Sequence, residues 1–195
     1  MTSHAPNFYF PAPRTQRFCS QCGTPLIRRI PPDDNRERDL CEHCGAVHYQ
    51  NPRNVVGVLP VWQGKILLCK RAIEPRADKW TLPAGFMELG ETTDQGALRE
   101  NQEESGAQIE LEQLYTIIDV PHAEQVHFFF LARVLNEQLA PGPESLEAGF
   151  FGIDEIPWDE LAFRTIISTL EHYVSDLATG VFPVRHYTIP GPAPR

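Results

Sequence analysis

Apolar residues in the middle of the chain follow the pattern expected of β-strands. The first two apolar runs are residues 55–62 and 65–70, and Gln63-Gly64 between them suits a tight hairpin turn. The last run has four consecutive apolar residues, 128–131, which indicates a strand covered on both faces. A β-sheet is therefore expected, with strands at residues 55–62, 65–70, 109–120 and 126–134.

Two amphipathic helices are predicted, at residues 93–105 and 163–178. Thr92 suits the N-cap of the first helix, Gln95 is its capping-box partner, and Gly106 provides the C-terminal stop. Strands interrupted by two well-spaced helices indicate a layered α/β domain. In the second helix the apolar residues recur at helical spacing, at Ile166, Ile167, Leu170, Tyr173, Val174 and Leu177.

The chain divides by composition into four segments. Residues 18–50 are polar and rich in turn residues, so they could not build a core without a bound metal. Residues 51–182 hold the predicted sheet and helices. Residues 1–17 are predicted to be a flexible lead-in, and the proline-rich residues 183–195 an extended tail.

Composition and charge narrow the classes of function. The chain has 26 acidic and 17 basic side chains, and this excess of negative charge disfavours sequence-independent binding of nucleic acid. An anionic substrate would then need a metal ion to mediate its binding. No apolar run is long enough to span a membrane and no signal-peptide pattern is present, so a soluble, cytoplasmic protein is expected.

Four of the five cysteines form two C-x-x-C pairs separated by 18 residues. This spacing can deliver four thiolates to one zinc ion, and a glycine follows each pair where the turn needs one. The alternative is a pair of disulfides or redox dithiols, which a reducing compartment disfavours. A structural Zn²⁺ site is therefore predicted at Cys19, Cys22, Cys41 and Cys44, while the fifth cysteine, Cys69, is expected in the core.

The first predicted helix concentrates negative charge. At about 100° per residue, Glu100, Glu103 and Glu104 fall on one face, where they repel one another. A bound divalent cation would make such a face favourable. Taken alone, the cluster could equally be a solvated acidic surface.

The surrounding pattern favours the functional interpretation. Residues 85–107 resemble the Nudix box, and the resemblance to the Nudix hydrolases extends over about residues 51–177. One position departs from the family pattern, because Asn101 stands where a bulky aliphatic residue is usual. The matching positions are Gly85, Glu91, Arg99, Glu100, Glu103, Glu104 and Gly106.

The resemblance implies a fold, a cofactor and residue roles. The fold would be an α/β/α sandwich with a mixed sheet, preceded by the small zinc ribbon. Glu100 and Glu104 would be the principal ligands of Mg²⁺ or Mn²⁺, with Glu103 close by as a further ligand or catalytic group and the backbone carbonyl of Ala84 completing the shell. Arg99 would act at the site through an ion pair that holds the loop carrying Glu91 against the helix.

The general base comes from different places within this family. Glu147 is the first candidate here, since it precedes a predicted strand that would return it toward the helix, and Glu144 is the second. Both residues could also be ordinary loop carboxylates. His122 and His127 could contact substrate phosphate or transfer protons, although a loop histidine is more often a surface residue.

An N-terminal zinc ribbon followed by a Nudix domain resembles two groups of Nudix enzymes, which differ in substrate. NADH pyrophosphatases carry a Ser-Gln-Pro-Trp-Pro-Phe-Pro motif, which is absent from the corresponding residues 116–124. The sequences of residues 67–71, 80–85 and 141–147 resemble those of plant-type FAD and ADP-ribose pyrophosphatases more than those of NADH pyrophosphatases. That similarity implies cleavage of a nucleoside diphosphate linked to another moiety, with release of AMP. Phe86, Phe128 and Tyr115 are candidates to stack on a base, or are core residues.

A different class of function is a regulator that uses a Nudix domain to sense a ligand or associates with nucleic acid. The retained carboxylates favour an enzyme. In the ribbon, basic side chains are offset by acidic ones, so the ribbon is interpreted as structural and nucleic acid as an unlikely partner. A homodimer is expected, because dimers are common among the related enzymes.

Overall fold

The computed structural model describes residues 16–191, which divide after Asn51 into two compact units. The first unit is a small antiparallel sheet of three short strands in the order β1-β2-β3. These strands are β1 (Ile27–Arg29), β2 (Arg38–Leu40) and β3 (Val47–His48).

The second unit contains one mixed sheet and two α-helices. Its helices are α1 (Thr93–Glu104) and α2 (Arg164–Leu177), each within one residue of the predicted bounds at either end. Its strands are β4 (Arg53–Trp62), β5 (Lys65–Arg71), β6 (Trp80–Thr81), β7 (Ala84–Phe86), β8 (Ile109–Val120), β9 (Gln125–Val134), β10 (Ser145–Phe151) and β11 (Arg185–Thr188).

The strands are hydrogen-bonded in the order β10-β5-β4-β9-β8-β11, with β6 beside β5 and β7 beside β4. The pairs β4–β9 and β8–β11 are parallel and the others antiparallel, so the sheet is mixed as predicted. The β4–β5 hairpin turns at Gln63 and Gly64, whose φ values of 48° and 80° are those of a left-handed turn. The parallel β4–β9 pair lies at the centre and carries β7 next to α1.

Each face of the sheet is covered by one helix. On the first face, Ala97 of α1 packs against Val56 and Val58 of β4. On the second face, Ile166 and Leu170 of α2 pack in a larger cluster that also contains sheet residues. The predicted α/β/α sandwich is therefore confirmed, and so is the two-sided burial of β9, because Phe129 packs on the second face while Phe128 and Phe130 pack on the first.

The prediction of an extended tail after residue 182 needs correction. Residues 185–188 form strand β11, which pairs in parallel with β8 and belongs to the second unit. Pro183 and Pro190 bracket this strand rather than prevent it, because neither lies within it. The lead-in predicted for residues 1–17 and the last four residues lie outside the described residues, apart from residues 16 and 17.

Side-chain contacts fasten β11 to the unit. The guanidinium of Arg185 makes two contacts of 2.6 Å to the carboxylate of Asp176 at the end of α2, and Tyr115 Oη donates to the same carboxylate at 2.7 Å. Phe182 stacks on Tyr173 at 5.4 Å between ring centres. The carboxylate of Asp176 is nearly buried, and the arginine beside it lowers its pKa.

None of the described helices is both long and apolar enough to cross a membrane.

Candidate active site and zinc site

Helix α1 begins where its sequence predicts. The Thr92 side chain accepts a hydrogen bond from the amide of Gln95, and the Gln95 side chain accepts one from the amide of Thr92. This capping box satisfies two amide donors that the first turn would otherwise leave free. In the same turn Gly96 faces β4, where a Cβ atom would lie 2.8 Å from Val56 Cγ2. The absent side chain therefore lets the helix approach the sheet closely.

Strand β7 carries the loop that meets the carboxylates of α1. A Cβ atom at Gly85 would overlap the carboxylate of Glu100, so the glycine lets this carboxylate lie directly against the main chain of β7. The amide of Ala84 donates to Glu104 Oε2 at 3.0 Å. The main chain of β7 thus lies against both carboxylates. A role for the Ala84 carbonyl as a metal ligand stays a prediction.

Arg99 connects the loop to the helix. Its guanidinium contacts both carboxylate oxygens of Glu91, at 2.6 and 3.0 Å, and donates to the carbonyl of Phe86 at 3.1 Å. It also contacts Glu100 at 2.7 Å and Glu103 at 3.1 Å. The forked contact lowers the pKa of Glu91 to about 2. The structure therefore shows the ion pair that the family resemblance implied.

The three carboxylates of α1 differ in their surroundings. Glu100 and Glu104 are buried, whereas the Glu103 side chain is more than half exposed. Burial is the main cause that raises the pKa of Glu104 to about 8, and the negative charge of Glu100 adds to it. Burial also raises the pKa of Glu100, although Arg99 opposes this shift. Two buried acidic groups side by side need a positive charge to remain ionised.

The donor set fits a divalent cation with hard oxygen ligands. The negative charge of Glu100 disfavours ionisation of Glu104, and the amide of Ala84 donates to the Glu104 carboxylate. Carboxylate and carbonyl oxygens are the ligands that Mg²⁺ and Mn²⁺ prefer. The same residues that destabilise the metal-free site through repulsion would thus hold the ion.

The departure at Asn101 has a structural explanation. This side chain is buried, and its Nδ2 donates to the carbonyl of Ala107 at 2.8 Å. Ser105 Oγ lies 3.0 Å from Asn101 Oδ1 and 2.8 Å from the carbonyl oxygen of Asn101. Hydrogen bonds therefore replace the apolar packing that an aliphatic residue would provide. Sequence analysis noticed the departure but missed this role.

The structure separates the two candidate bases. Glu144 follows a loop whose Gly142 amide donates to the carbonyl of Glu103 at 3.1 Å, and its negative charge contributes to the raised pKa of both Glu100 and Glu104. Glu147 lies opposite Lys70 in the β10–β5 pairing, and alternation along β10 puts it on the same face as Phe151. Phe151 packs in the cluster on the second face, opposite α1. The geometry therefore favours Glu144, the second candidate, over Glu147.

The two histidines lie in different surroundings. His127 is mostly buried in β9, where its Nε2 is 2.9 Å from Gln125 Oε1 and its Nδ1 has no partner among the described residues. Burial lowers its pKa to about 4. His122 is exposed in a short 3-10 turn and packs beside Gly191. Neither histidine contacts the carboxylates of α1 through a direct hydrogen bond.

The cysteine cluster of the first unit has the dimensions of a zinc site. All four Sγ atoms lie within 4.8 Å of one another, and two pairs are 3.4 and 3.6 Å apart. A tetrahedral zinc with Zn–S bonds of about 2.3 Å would separate its sulfurs by about 3.8 Å. All four thiols are free of disulfides. The residues present fit a structural Zn²⁺.

Two further groups approach the buried sulfur of Cys19. The amide of Gln21 points to it at 3.4 Å, and His48 Nε2 lies 3.3 Å away. Gly23 and Gly45 adopt φ values of 73° and 75°, and their amides donate to the carbonyls of Cys19 and Cys41, each four residues earlier. Sequence analysis missed His48, because nothing in the cysteine spacing points to it.

Comparison with known proteins agrees with this geometry. The NUDIX domain model matches residues 51–170, and the Nudix N-terminal zinc-ribbon model matches residues 17–50. The chain belongs to the Nudix family. The predicted fold class and the predicted class of enzyme, a Nudix hydrolase, are confirmed at the level of this family.

Similar proteins of known name or structure include several Nudix enzymes. NAD-capped RNA hydrolase NudC of Pectobacterium carotovorum is 28% identical and that of Salmonella paratyphi C 30% identical, each over 145 residues or 74% of this Nudix chain. The chain spans 54% of the length of both relatives. A NUDIX hydrolase from Nitrosomonas europaea is 47% identical with a TM-score of 0.86, and the match covers 89% of this chain and 99% of that one.

A more distant structure shares the fold of this Nudix chain. An ADP-ribose pyrophosphatase from Streptococcus suis is 22% identical with a TM-score of 0.55, and the match covers 71% of this chain and all of that one. Nudix enzymes use a divalent metal and act on nucleotide-derived substrates. Both properties agree with the buried carboxylates of α1.

Proposed function

We propose that this protein hydrolyses the pyrophosphate bond of a nucleoside diphosphate linked to another moiety, using Mg²⁺ and releasing AMP. One observation carries the proposal: Glu100 and Glu104 are buried side by side against the main chain of β7. Such an arrangement costs stability unless a cation occupies it. A solvated acidic surface, the alternative interpretation of the cluster, would leave both carboxylates exposed.

The roles of the residues follow from their contacts. Bound Mg²⁺ would neutralise the phosphate oxygens and lower the pKa of an attacking water. Glu100 and Glu104 hold the ion, while Arg99 fixes Glu100 in place through its contact of 2.7 Å. Glu103 is exposed near the same guanidinium, where it can adjust to the ion or its waters. Glu144 accepts the proton of the attacking water, a role the position of Glu147 supports less well.

The substrate class rests on both sequence and structure. FAD and ADP-ribose are the first candidates, because the chain lacks the motif of NADH pyrophosphatases in residues 116–124. Those residues form the end of β8 and the turn at Pro121–Ala123. Next to the carboxylates, Phe86 is partly exposed with Arg53 over its ring at 4.7 Å, so it is a candidate for stacking on a base. Tyr115 is fully buried and is therefore a core residue instead.

The second candidate substrate is NAD(H), free or as the cap of an RNA. The similarity to NudC enzymes favours it, and this similarity also weakens the expectation that nucleic acid plays no part. Charge argues the other way, since the net charge is −9 and three arginines of the ribbon, Arg28, Arg29 and Arg38, are paired with acidic residues. We interpret the zinc ribbon as a structural element. A homodimer and a cytoplasmic location stay predictions.

Product analysis tests the proposal. Purified protein with Mg²⁺ is offered FAD, ADP-ribose, NADH and an NAD-capped RNA, and the products are quantified: AMP from the free dinucleotides and ADP-ribose, or NMN and 5′-monophosphorylated RNA from the capped RNA. We expect metal-dependent release of AMP from FAD or ADP-ribose at a higher kcat/KM than from NADH. Glu104→Gln should lower release by about a thousandfold, whereas Glu137→Gln, a change at an exposed carboxylate, should leave it intact. Tight binding of one compound without turnover would favour the sensor instead.

A further inference from the structure

The loop that carries Glu144 is attached to the end of α1 by two hydrogen bonds. The amide of Ala140 donates to the carbonyl of Ser105 at 2.8 Å, and that of Gly142 donates to the carbonyl of Glu103 at 3.1 Å. Residues 141 and 143 are prolines and have no amide to donate. Within residues 140–143, both available donors are therefore used to hold the loop on the helix.

Close packing accompanies these hydrogen bonds. A Cβ atom at Gly142 would collide with the carbonyl of Glu103, and one at Gly106 would lie within 2.8 Å of Ala140. Gly106 also has φ +66°, which favours glycine. Beyond the prolines, the carbonyl of Glu144 accepts the amide of Ala72 at 2.8 Å. The loop is thus fixed at both ends, at α1 and at the end of β5.

The carbonyl that holds Ala140 belongs to a residue that is itself held by Asn101. Ser105 Oγ contacts Asn101 Oδ1 and the carbonyl of Asn101, and it accepts the amide of Ala107 at 3.1 Å. Asn101 Nδ2 completes the ring of contacts at the carbonyl of Ala107. Asn101 and Ser105 are almost completely buried, so water cannot substitute for these partners.

We propose that the buried pair Asn101–Ser105 is a positioning unit for the reaction: it fixes the Ser105 carbonyl, and through it the loop that keeps Glu144 beside Glu100 and Glu104. This inference rests on the proposed function, in which Glu144 accepts the proton of the attacking water. An aliphatic residue at position 101 would fill the same space but would remove the two hydrogen bonds that the Asn101 side chain makes, with the carbonyl of Ala107 and with Ser105 Oγ. Neither Asn101 nor Ser105 touches the substrate in this account.

Amide hydrogen exchange measures the positioning directly. In Asn101→Leu, which supplies the aliphatic residue usual in the family, the amides of Ala140 and Gly142 should exchange at least about tenfold faster than in the native protein. Ser105→Ala removes only the hydroxyl and should give the same direction of change if Asn101→Leu does not fold. Gln102→Leu, at an exposed position on the same turn, is the matched control and should leave exchange unchanged.

A double-mutant cycle then connects the positioning to the reaction. With ADP-ribose and Mg²⁺, Asn101→Leu should lower kcat by about tenfold to a hundredfold with little change in KM, because misplacing a reacting group is costly. In the Glu144→Gln background the same change should have almost no further effect.

Two results would overturn the proposal, and they have different meanings. Equal losses from Asn101→Leu in both backgrounds, or unchanged exchange at Ala140 and Gly142, would refute the positioning role alone. Full activity of Glu144→Gln would refute the proton-accepting role of Glu144 in the proposed function, and the inference with it.

Discussion

Each of the two units contains a cluster of side chains whose chemistry fits a metal ion, but the two units differ in how much of their core lies outside that cluster. In the ribbon, the described residues include only five buried positions, and two of them are cysteines of the cluster: Cys19, Pro31, Asp39, Leu40 and Cys41. The second unit buries a large apolar core on both faces of its sheet, and Glu100 and Glu104 lie beside that core rather than forming it.

This difference in buried core indicates a different role for the metal ion of each unit. A few short strands around four thiols cannot offset the entropy of ordering the chain, so zinc must supply the folding energy of the ribbon. The second unit can fold without its ion, since Arg99 already compensates part of the charge of Glu91 and Glu100. We therefore expect the soft sulfur ligands to hold a structural ion and the hard oxygen ligands to hold a reactive one.

Removing zinc tests the difference most severely. A chelator, or the change Cys41→Ser, should unfold residues 16–50, because apparent binding energies of structural zinc are about 10 kcal/mol or more. Residues 52–191 should keep a cooperative thermal transition. Limited proteolysis followed by mass spectrometry distinguishes the two units. Simultaneous loss of both would show that the second unit depends on the ribbon. Cys69→Ser, a change at the cysteine outside the cluster, is the control for zinc loss.

Removing a buried carboxylate of the second unit should lower activity without unfolding the unit. Glu104→Gln is expected to lower kcat by about a thousandfold, since groups that stabilise the transition state electrostatically are each worth about 10²–10³ in rate. The metal-free protein should nevertheless become more stable by about 1–3 kcal/mol, because a carboxyl group whose pKa burial raises to about 8 must take up a proton on folding at neutral pH, whereas glutamine need not. Denaturant unfolding in EDTA measures this gain.

The prediction for Glu104→Gln has a matched control at a carboxylate outside α1. Glu137→Gln changes an exposed carboxylate and should alter neither quantity. A loss of stability in metal-free Glu104→Gln would mean that the carboxylate supports the fold of the second unit as the cysteines support the ribbon, and the contrast between the units would fail.

What the sequence could predict was mainly local. Periodicity located α1, α2 and the central strands, and the capping box at Thr92 and Gln95 was visible as a pair of residue types at fixed spacing. The cysteine pairs and the carboxylates of α1 are also short-range patterns. Such features are determined by neighbours in the chain, so residue identity suffices to find them.

What it could not predict depends on distant partners. Strand β11 pairs with β8 some 69 positions earlier, and the prolines around it suggested a tail. Glu144 and Glu147 differ by three positions, and only the pairing of β10 with β5 shows that Glu147 lies on the face of the sheet opposite α1. The buried hydrogen bonds of Asn101 likewise required the turn after α1 to be seen in three dimensions.

The free energy of unfolding of the second unit should depend on pH, because a histidine is buried in it. His127 has a pKa lowered to about 4 by burial, whereas an unfolded histidine has one near about 6.5. As the pH falls from about 6.5 to 4, the unfolded state takes up the proton first, so stability should decline by up to about 3 kcal/mol. Above that window the contribution is constant. His127→Gln should flatten the decline in denaturant unfolding at pH 5 relative to pH 7.

Two comparisons make this prediction decisive. His122→Gln, at an exposed position, should leave the pH dependence as it is in the native protein. An unchanged decline in His127→Gln would assign the acid sensitivity to other groups of the second unit, and the buried histidine would not limit its stability.

The smallest expected effect concerns how firmly the ribbon retains its ion. In the zinc-bound site Cys19 is a thiolate and can only accept, so His48 Nε2, at 3.3 Å from its sulfur, must be the donor of that contact. The hydrogen bond withdraws negative charge from a cluster in which four thiolates surround one divalent ion. His48→Ala should therefore speed zinc transfer to a chromogenic chelator by about tenfold, the lower end of what such outer partners contribute. His43→Ala, at an exposed position of the same unit, is the matched control. Equal release rates in the two variants would mean that the four sulfurs alone set the retention of zinc, and that the ribbon depends on its metal cluster without help from the side chains around it.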